Sequence, residues 1–163
     1  MAIALFANPQ PALGGKMKKH FAVLGLVLVC LWGCSKSPVT VDDFKKTMEK
    51  AGYTIFEASG QFDRSIAESV TVARKDGYQI EFFLLTSEEN AISSFNSNVD
   101  KLDKKQGDIT VKTSTSVSNH STYALRMNDR FYKVSRIGRT MIFLNVPQEQ
   151  KNAVSDLLES MGY

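Results

Sequence analysis

The sequence predicts an α+β domain of two layers, an antiparallel meander sheet with about three helices on one face. Two observations lead there. Strand-like runs are joined by short turns at Lys75–Gly77, Asn128-Asp129 and Gly138-Arg139, which makes neighbours in sequence antiparallel neighbours in space. Three separate stretches with helical spacing stand before, between and after those runs. The 163 residues, 43% hydrophobic and 23% charged, suit one globular domain with a real core, placed at residues 41–163.

Thr40 and Asp43 form an N-cap, and Val41, Phe44, Met48 and Ala51 recur at helical spacing before Gly52 ends the run. A short strand, "YTIFEAS", and a loop from Ser59 to Arg64 follow. The hairpin from Ile66 to Thr86 has two candidate registers. A two-residue loop at Asp76-Gly77 sets Val72 against Glu81 and Val70 against Phe83; a three-residue loop from Lys75 to Gly77 sets Val72 against Ile80 and Val70 against Phe82. The second keeps charge out of the apolar row and is the one expected. The next helix, Thr86 to Gly107, has a capping box in Thr86 and Glu89 and an apolar stripe of Ile92, Phe95, Val99 and Leu102; Asp100 and Asp103 fall among Lys101, Lys104 and Lys105 as surface pairs. "DITVKTSTSV" suits a polar or edge strand. A three-strand meander then runs through Tyr123–Met127, Arg130–Ile137 and Thr140–Val146, and Pro147 opens a last helix carrying Val154, Leu157, Leu158 and Met161. "KAGY" and "SMGY" close the first and last helices alike, which a helix C-cap explains as well as a duplication does.

From Met17 the chain reads "MKKHFAVLGLVLVCLWGC": two lysines, a 12-residue apolar segment from Phe21 to Trp32, then Gly33 and Cys34. A basic start and an apolar segment too short to span about 20 residues' worth of hydrocarbon make a signal peptide at 17–33, with residues 1–16 an upstream extension of misassigned origin. "LWGC" resembles the lipobox of bacterial lipoproteins, with Trp32 where that motif usually has a small or β-branched residue. The resemblance covers only the leader. It implies that the thiol of Cys34 carries diacylglycerol after cleavage, that residues 34–40 form a short linker, and that the domain sits outside the cytoplasm on a bacterial cell membrane or outer membrane. Cys30 follows bulky Val29 and is the poorer acceptor. With Cys34 lipidated, the domain holds no thiol for a disulfide, a metal site or a nucleophile.

Lys16, Lys18 and Lys19 precede Cys34 and no acid does, so 17 basic and 17 acidic residues remain from Cys34 onward. The domain is neutral, which removes the simplest argument for nucleic acid. Scattered glycines offer no phosphate-cradling loop, and no metal or other cofactor is expected. His120, expected in an exposed loop, could meet Ser118 or Ser121, but no orienting carboxylate is recognisable, so no catalytic residues are assigned. The strongest constellation lies in the meander. Two-residue turns there put Tyr123, Leu125, Met127, Tyr132, Val134, Met141 and Phe143 toward the helices and leave Arg126, Phe131, Lys133, Ile142 and Leu144 on a wet opposite face. Cations beside apolar groups there suit an anionic polymer, a peptide or a lipid headgroup. The expectation is a non-catalytic, lipid-anchored binding module that meets the membrane through its anchor and an envelope protein or ligand through that face; the alternative is an assembly subunit that buries the face in an envelope complex or homo-oligomer.

Overall fold

Residues 36–163 are described in the computed structural model; the expected upstream extension, signal peptide and Cys34 lie outside the described residues. Thr40 takes an extended backbone and its Oγ1 accepts the Asp43 amide at 3.1 Å, capping helix α1 (Val41–Lys50). Strands β1 (Thr54–Glu57), β2 (Ala67–Lys75) and β3 (Tyr78–Leu85) lead to helix α2 (Glu88–Asp103). Strands β4 (Ile109–Val117), β5 (His120–Met127), β6 (Arg130–Ile137) and β7 (Thr140–Pro147) lead to helix α3 (Lys151–Ser160). All seven strands form one antiparallel sheet in the order β1-β2-β3-β7-β6-β5-β4. Two meanders therefore meet at β3 and β7, and the domain is mixed α+β.

Successive strand residues face opposite sides of a sheet, and here both sides are packed. Phe82 stacks on Phe44 of α1 with ring centroids 4.7 Å apart, whereas its neighbour Phe83 joins Phe95 and Leu102 of α2. Ile80, Phe131, Ile142, Leu144 and Val146 share the first cluster with Val154 and Leu158 of α3; Tyr123, Leu125, Tyr132, Val134 and Met141 share the second. The expected two layers with all helices on one face are thus corrected to three layers, α1 and α3 on one face and α2 on the other. Nearly continuous apolar runs in "IEFFLL" and "MIFLNV" are what strands buried on both faces carry, and an alternation template reads only one face of them.

The β2–β3 hairpin takes the register that sequence reasoning rejected, with Val72 against Glu81 and Val70 against Phe83. Asp76 and Gly77 have φ of 49° and 79°, the paired positive values of a two-residue turn whose twist matches the strands. With both faces buried, neither register keeps every apolar residue on one row, so the turn decides. Glu81 is accommodated where its face stays partly open, accepting from Gln79 at 2.7 Å.

Three smaller corrections concern α2. Its cap is Ser87, which accepts the Asn90 amide, while Thr86 donates to carbonyls of the Ser65–Ile66 loop. Ala91, Phe95 and Leu102 are its buried residues and Ile92 is exposed, because small Ala91 permits close approach to the sheet. Asp103 pairs across to Lys112 of β4 at 2.7 Å and accepts from the Tyr123 hydroxyl; these bonds, Lys112 first, hold its carboxyl below the usual range. The two "GY" ends are the same C-cap: Gly52 and Gly162 have φ of 82° and 90°, and the Tyr53 and Tyr163 amides reach back to Met48 and Leu158 carbonyls at 3.0 Å each.

Ile142→Ala should lower the unfolding free energy by about 2–5 kcal/mol, measured by urea unfolding, whereas Val117→Ala at the exposed sheet edge should stay within about 0.5 kcal/mol. Equally small effects at both sites would mean that the α1/α3 face is open rather than core.

Candidate ligand-binding groove

On the α1/α3 face, the strip of sheet farthest from α1 remains uncovered and forms a groove of about 260 Å³. The ladder sets its side chains in rows. Val111, Arg126 and Phe131 make one cross-strand row through β4, β5 and β6; Thr113, Ala124 and Lys133 make the next, with Thr122 beyond. Lys151, the first residue of α3, closes the rim with its Nζ 5.6 Å from the Phe131 ring centroid, a cation–π contact. Arginine and two lysines therefore converge on hydroxyls and apolar surface, and no acidic residue lines the groove.

Lys133 is only 8% exposed, yet none of the described ion pairs includes it. Burial lowers its ammonium below the ordinary lysine value; the charge of Glu159 opposes that and the charge of Lys36 adds to it. The Nε of Arg126 is likewise buried without a hydrogen-bond partner among the described residues. Desolvation without a bonded counter-charge disfavours the charged form, a cost that an anion placed beside these groups would offset.

Beside Lys133 the face turns polar. The Thr122 hydroxyl lies 2.7 Å from that of Ser135 and 2.9 Å from His120 Nε2. His120 is a part-buried strand residue, not a residue of an exposed loop, because β5 begins there and a two-residue turn at Ser118-Asn119 replaces the expected "SNHS" loop. Burial lowers its imidazole pKa first, then the nearby charges of Lys36, Lys133 and Arg136. Neither Ser118 nor Ser121 bonds its ring, and no carboxylate pairs with it among the described residues, so the hydroxyl cluster is a hydrogen-bond network without the parts of a nucleophilic triad. Among the described residues no group of three or more His, Cys, Asp or Glu could hold a metal ion, and no helix is long and apolar enough to cross a membrane.

No family model, curated protein or solved structure matches this chain.

Of the five residues expected on a wet face, the structure gathers Arg126, Phe131 and Lys133 at the groove and removes the other two. Ile142 and Leu144 are 0% exposed beneath the helices, and Phe131, which lines the groove, is 6% exposed. Sequence reasoning missed Val111, Thr113, Thr122, Ala124 and Lys151. The first four follow from extending the same ladder to β4. Lys151 has no sequence signal, because a single turn of 3₁₀ helix at Gln148–Gln150 sets where α3 starts.

A larger cleft of about 640 Å³ lies on the α2 side of the sheet, but several of its polar side chains bond to one another. Arg74 Nε donates to Gln79, Gln79 donates to Glu81, and Arg130 holds Asn145 through two bonds of 2.8 Å. The smaller groove, where Lys133 is outside every described ion pair and Arg126 Nε has no hydrogen-bond partner among the described residues, is the stronger candidate.

Lys133→Met should stabilise the domain at neutral pH by about 1–2 kcal/mol, since it removes a buried charge and keeps the packing stem. The sign with pH is fixed: a base whose folded pKa is lowered binds more protons when unfolded, so the wild type regains stability as pH rises toward 10.5 and the difference narrows. Urea unfolding of both proteins across that range measures it, and a destabilising substitution with no pH dependence would contradict this electrostatic description.

Proposed function

We propose that this chain is a lipoprotein of the bacterial envelope, acylated at Cys34, whose domain is a non-catalytic module binding the anionic headgroup of an acidic lipid in the groove. Lys133, 8% exposed, desolvated and outside every ion pair of the described residues, carries this reading. A phosphate there gains charge-assisted hydrogen bonds from Lys133, Arg126 and Lys151, while Phe131, Val111 and Ala124 accept the first apolar atoms beyond it.

The position of the linker supports a lipid over other anions. The Lys36 carbonyl accepts from Asn119 at 2.9 Å, and its ammonium donates to the Gly162 carbonyl at 2.6 Å, so the chain enters beside the α1/α3 face, close enough for Lys36 to act on both His120 and Lys133. A lipidated Cys34, two residues earlier in sequence, is tied to Lys36 by at most about 7 Å of chain. The groove and the anchor then address the same bilayer. The alternative role, as an assembly subunit, draws on a different feature, the open edge of β4.

Two measurements test the proposal. The mature N-terminus from bacterial membranes should have the mass of diacylglyceryl-cysteine, lost in Cys34→Ser. The domain from Ser35 onward should float with phosphatidylcholine vesicles only when these contain phosphatidylglycerol, and Arg126→Met with Lys133→Met should weaken that binding by about tenfold or more, the equivalent of one charge-assisted bond. An unmodified N-terminus refutes the anchor. Equal binding by the double variant, or equal binding to neutral vesicles, refutes the groove.

A further inference from the structure

The two edges of the sheet are unlike. β1 is four residues long, and its Glu57 is engaged by Lys45 of α1 at 2.5 Å. β4 is nine residues long, contains no proline, and has no strand on its outer side among the described residues. Its side chains do little to discourage a partner: Ile109 and Val111 are each 51% exposed and Val117 is 50% exposed, and the segment from Thr113 to Val117 is free of charge. Lys112, its one charged residue, is neutralised by Asp103. Proteins ordinarily shield such an edge with charge, proline or brevity, because its unpaired amides and carbonyls are a template for another strand.

We infer that β4 pairs with β4 of a second copy in an antiparallel, two-fold ladder centred on Ser114, joining two sheets into one. The occupant is argued from the sequence of the edge itself. In an isologous pair each residue meets its mirror position about the centre. With Ser114 on the axis, Val111 faces Val117 of the second copy and Thr113 faces its Thr115, all on the α1/α3 side, while Lys112 faces Ser116 on the other side. The pairs are apolar with apolar, hydroxyl with hydroxyl, and lysine with a neutral residue. Other centres are worse. Lys112 on the axis opposes two ammonium groups, Thr115 sets Val111 against Asn119 in a turn, and Thr113 runs the ladder into the bulge between Ile109 and Val111.

A two-fold axis perpendicular to the sheet keeps the α1/α3 faces of both copies on one side. Lys36 of each copy then lies on that side, so both linkers approach the same surface. Val111 and Thr113 also line the groove, so two grooves flank the seam. The pairing itself stands on β4 alone and does not need the groove's ligand to be a lipid.

The test uses the full chain in membrane vesicles and a short homobifunctional thiol crosslinker, with the wild type reporting any background from Cys30 and Cys34. Ser114→Cys should crosslink to itself. Lys112→Cys and Ser116→Cys should each do so far less alone and should crosslink when the two variants are mixed. A copy bearing Thr113→Lys and Thr115→Lys should lose the Ser114→Cys crosslink, and mixing it with a copy bearing Thr113→Glu and Thr115→Glu should restore it. Each variant's thermal unfolding, compared with wild type, separates lost pairing from lost folding. No crosslink at Ser114→Cys in a folded chain, equal crosslinking at all three positions, or crosslinks to a different protein instead of a second copy would overturn the inference.

Discussion

Covering a sheet that is apolar on both faces with only three short helices is the constraint from which the rest of the molecule follows. Seven strands at about 4.8 Å spacing span about 34 Å, while a helix with its side chains covers about 12 Å of that width. Two helices, α1 and α3, therefore protect most of one face and leave a strip of about two strands. The strip falls at β4 and β5 because α1 packs on β1, β2 and β3 and α3 follows β7. The composition of the exposed strip matches its position. Where α1 and α3 lie, β6 and β7 present Phe131, Ile142, Leu144 and Val146; beyond them the same face presents Thr113, Thr122, Arg126 and Lys133. One helix on the other face leaves the wider cleft there, floored by polar groups that bond to one another.

Burial gives the strip its chemistry. An amine at the margin between a helix-covered core and an open edge loses much of its water and, when no carboxylate bonds to it, keeps an unmet demand for negative charge. Arg136, 4% exposed on the opposite face, is paired through Nη1 with Glu88 at 2.9 Å, although its Nε, like that of Arg126, has no hydrogen-bond partner among the described residues. Lys133, three residues earlier, is given no such partner. The contrast between these two cations on one strand is the main reason to assign the groove a ligand.

Much of the architecture could be read from the sequence. The α1 cap at Thr40, the two-residue turns at Asn128-Asp129 and Gly138-Arg139, and the alternation of Arg126, Phe131 and Lys133 are local patterns, fixed by side-chain chemistry within a few residues. What could not be read was which faces are covered. Phe82 and Phe83 are chemically identical neighbours, and nothing local says that one goes to α1 and the other to α2. The same blindness produced the wrong β2–β3 register and put Ile142 and Leu144 on a wet surface, since both errors follow from assuming one dry face. His120 was missed as a strand residue for a different reason: Ser118, in a polar stretch that looks like loop, adopts φ of 51° and turns the chain in two residues. Asp103 looked like a helix-surface charge because its partner Lys112 is distant in structure type, though only nine positions on in sequence.

The central proposal is that Lys133, desolvated and outside any described ion pair, receives an anion in the groove, and its own titration tests this most directly. With lysine side chains labelled at ¹³Cε, NMR across pH, with and without decyl phosphate, reports each ammonium separately. The account predicts that Lys133 titrates below the ordinary lysine value when alone, and that decyl phosphate raises its pKa. A Lys133 that titrates at the ordinary lysine value, or that is indifferent to decyl phosphate, would contradict it.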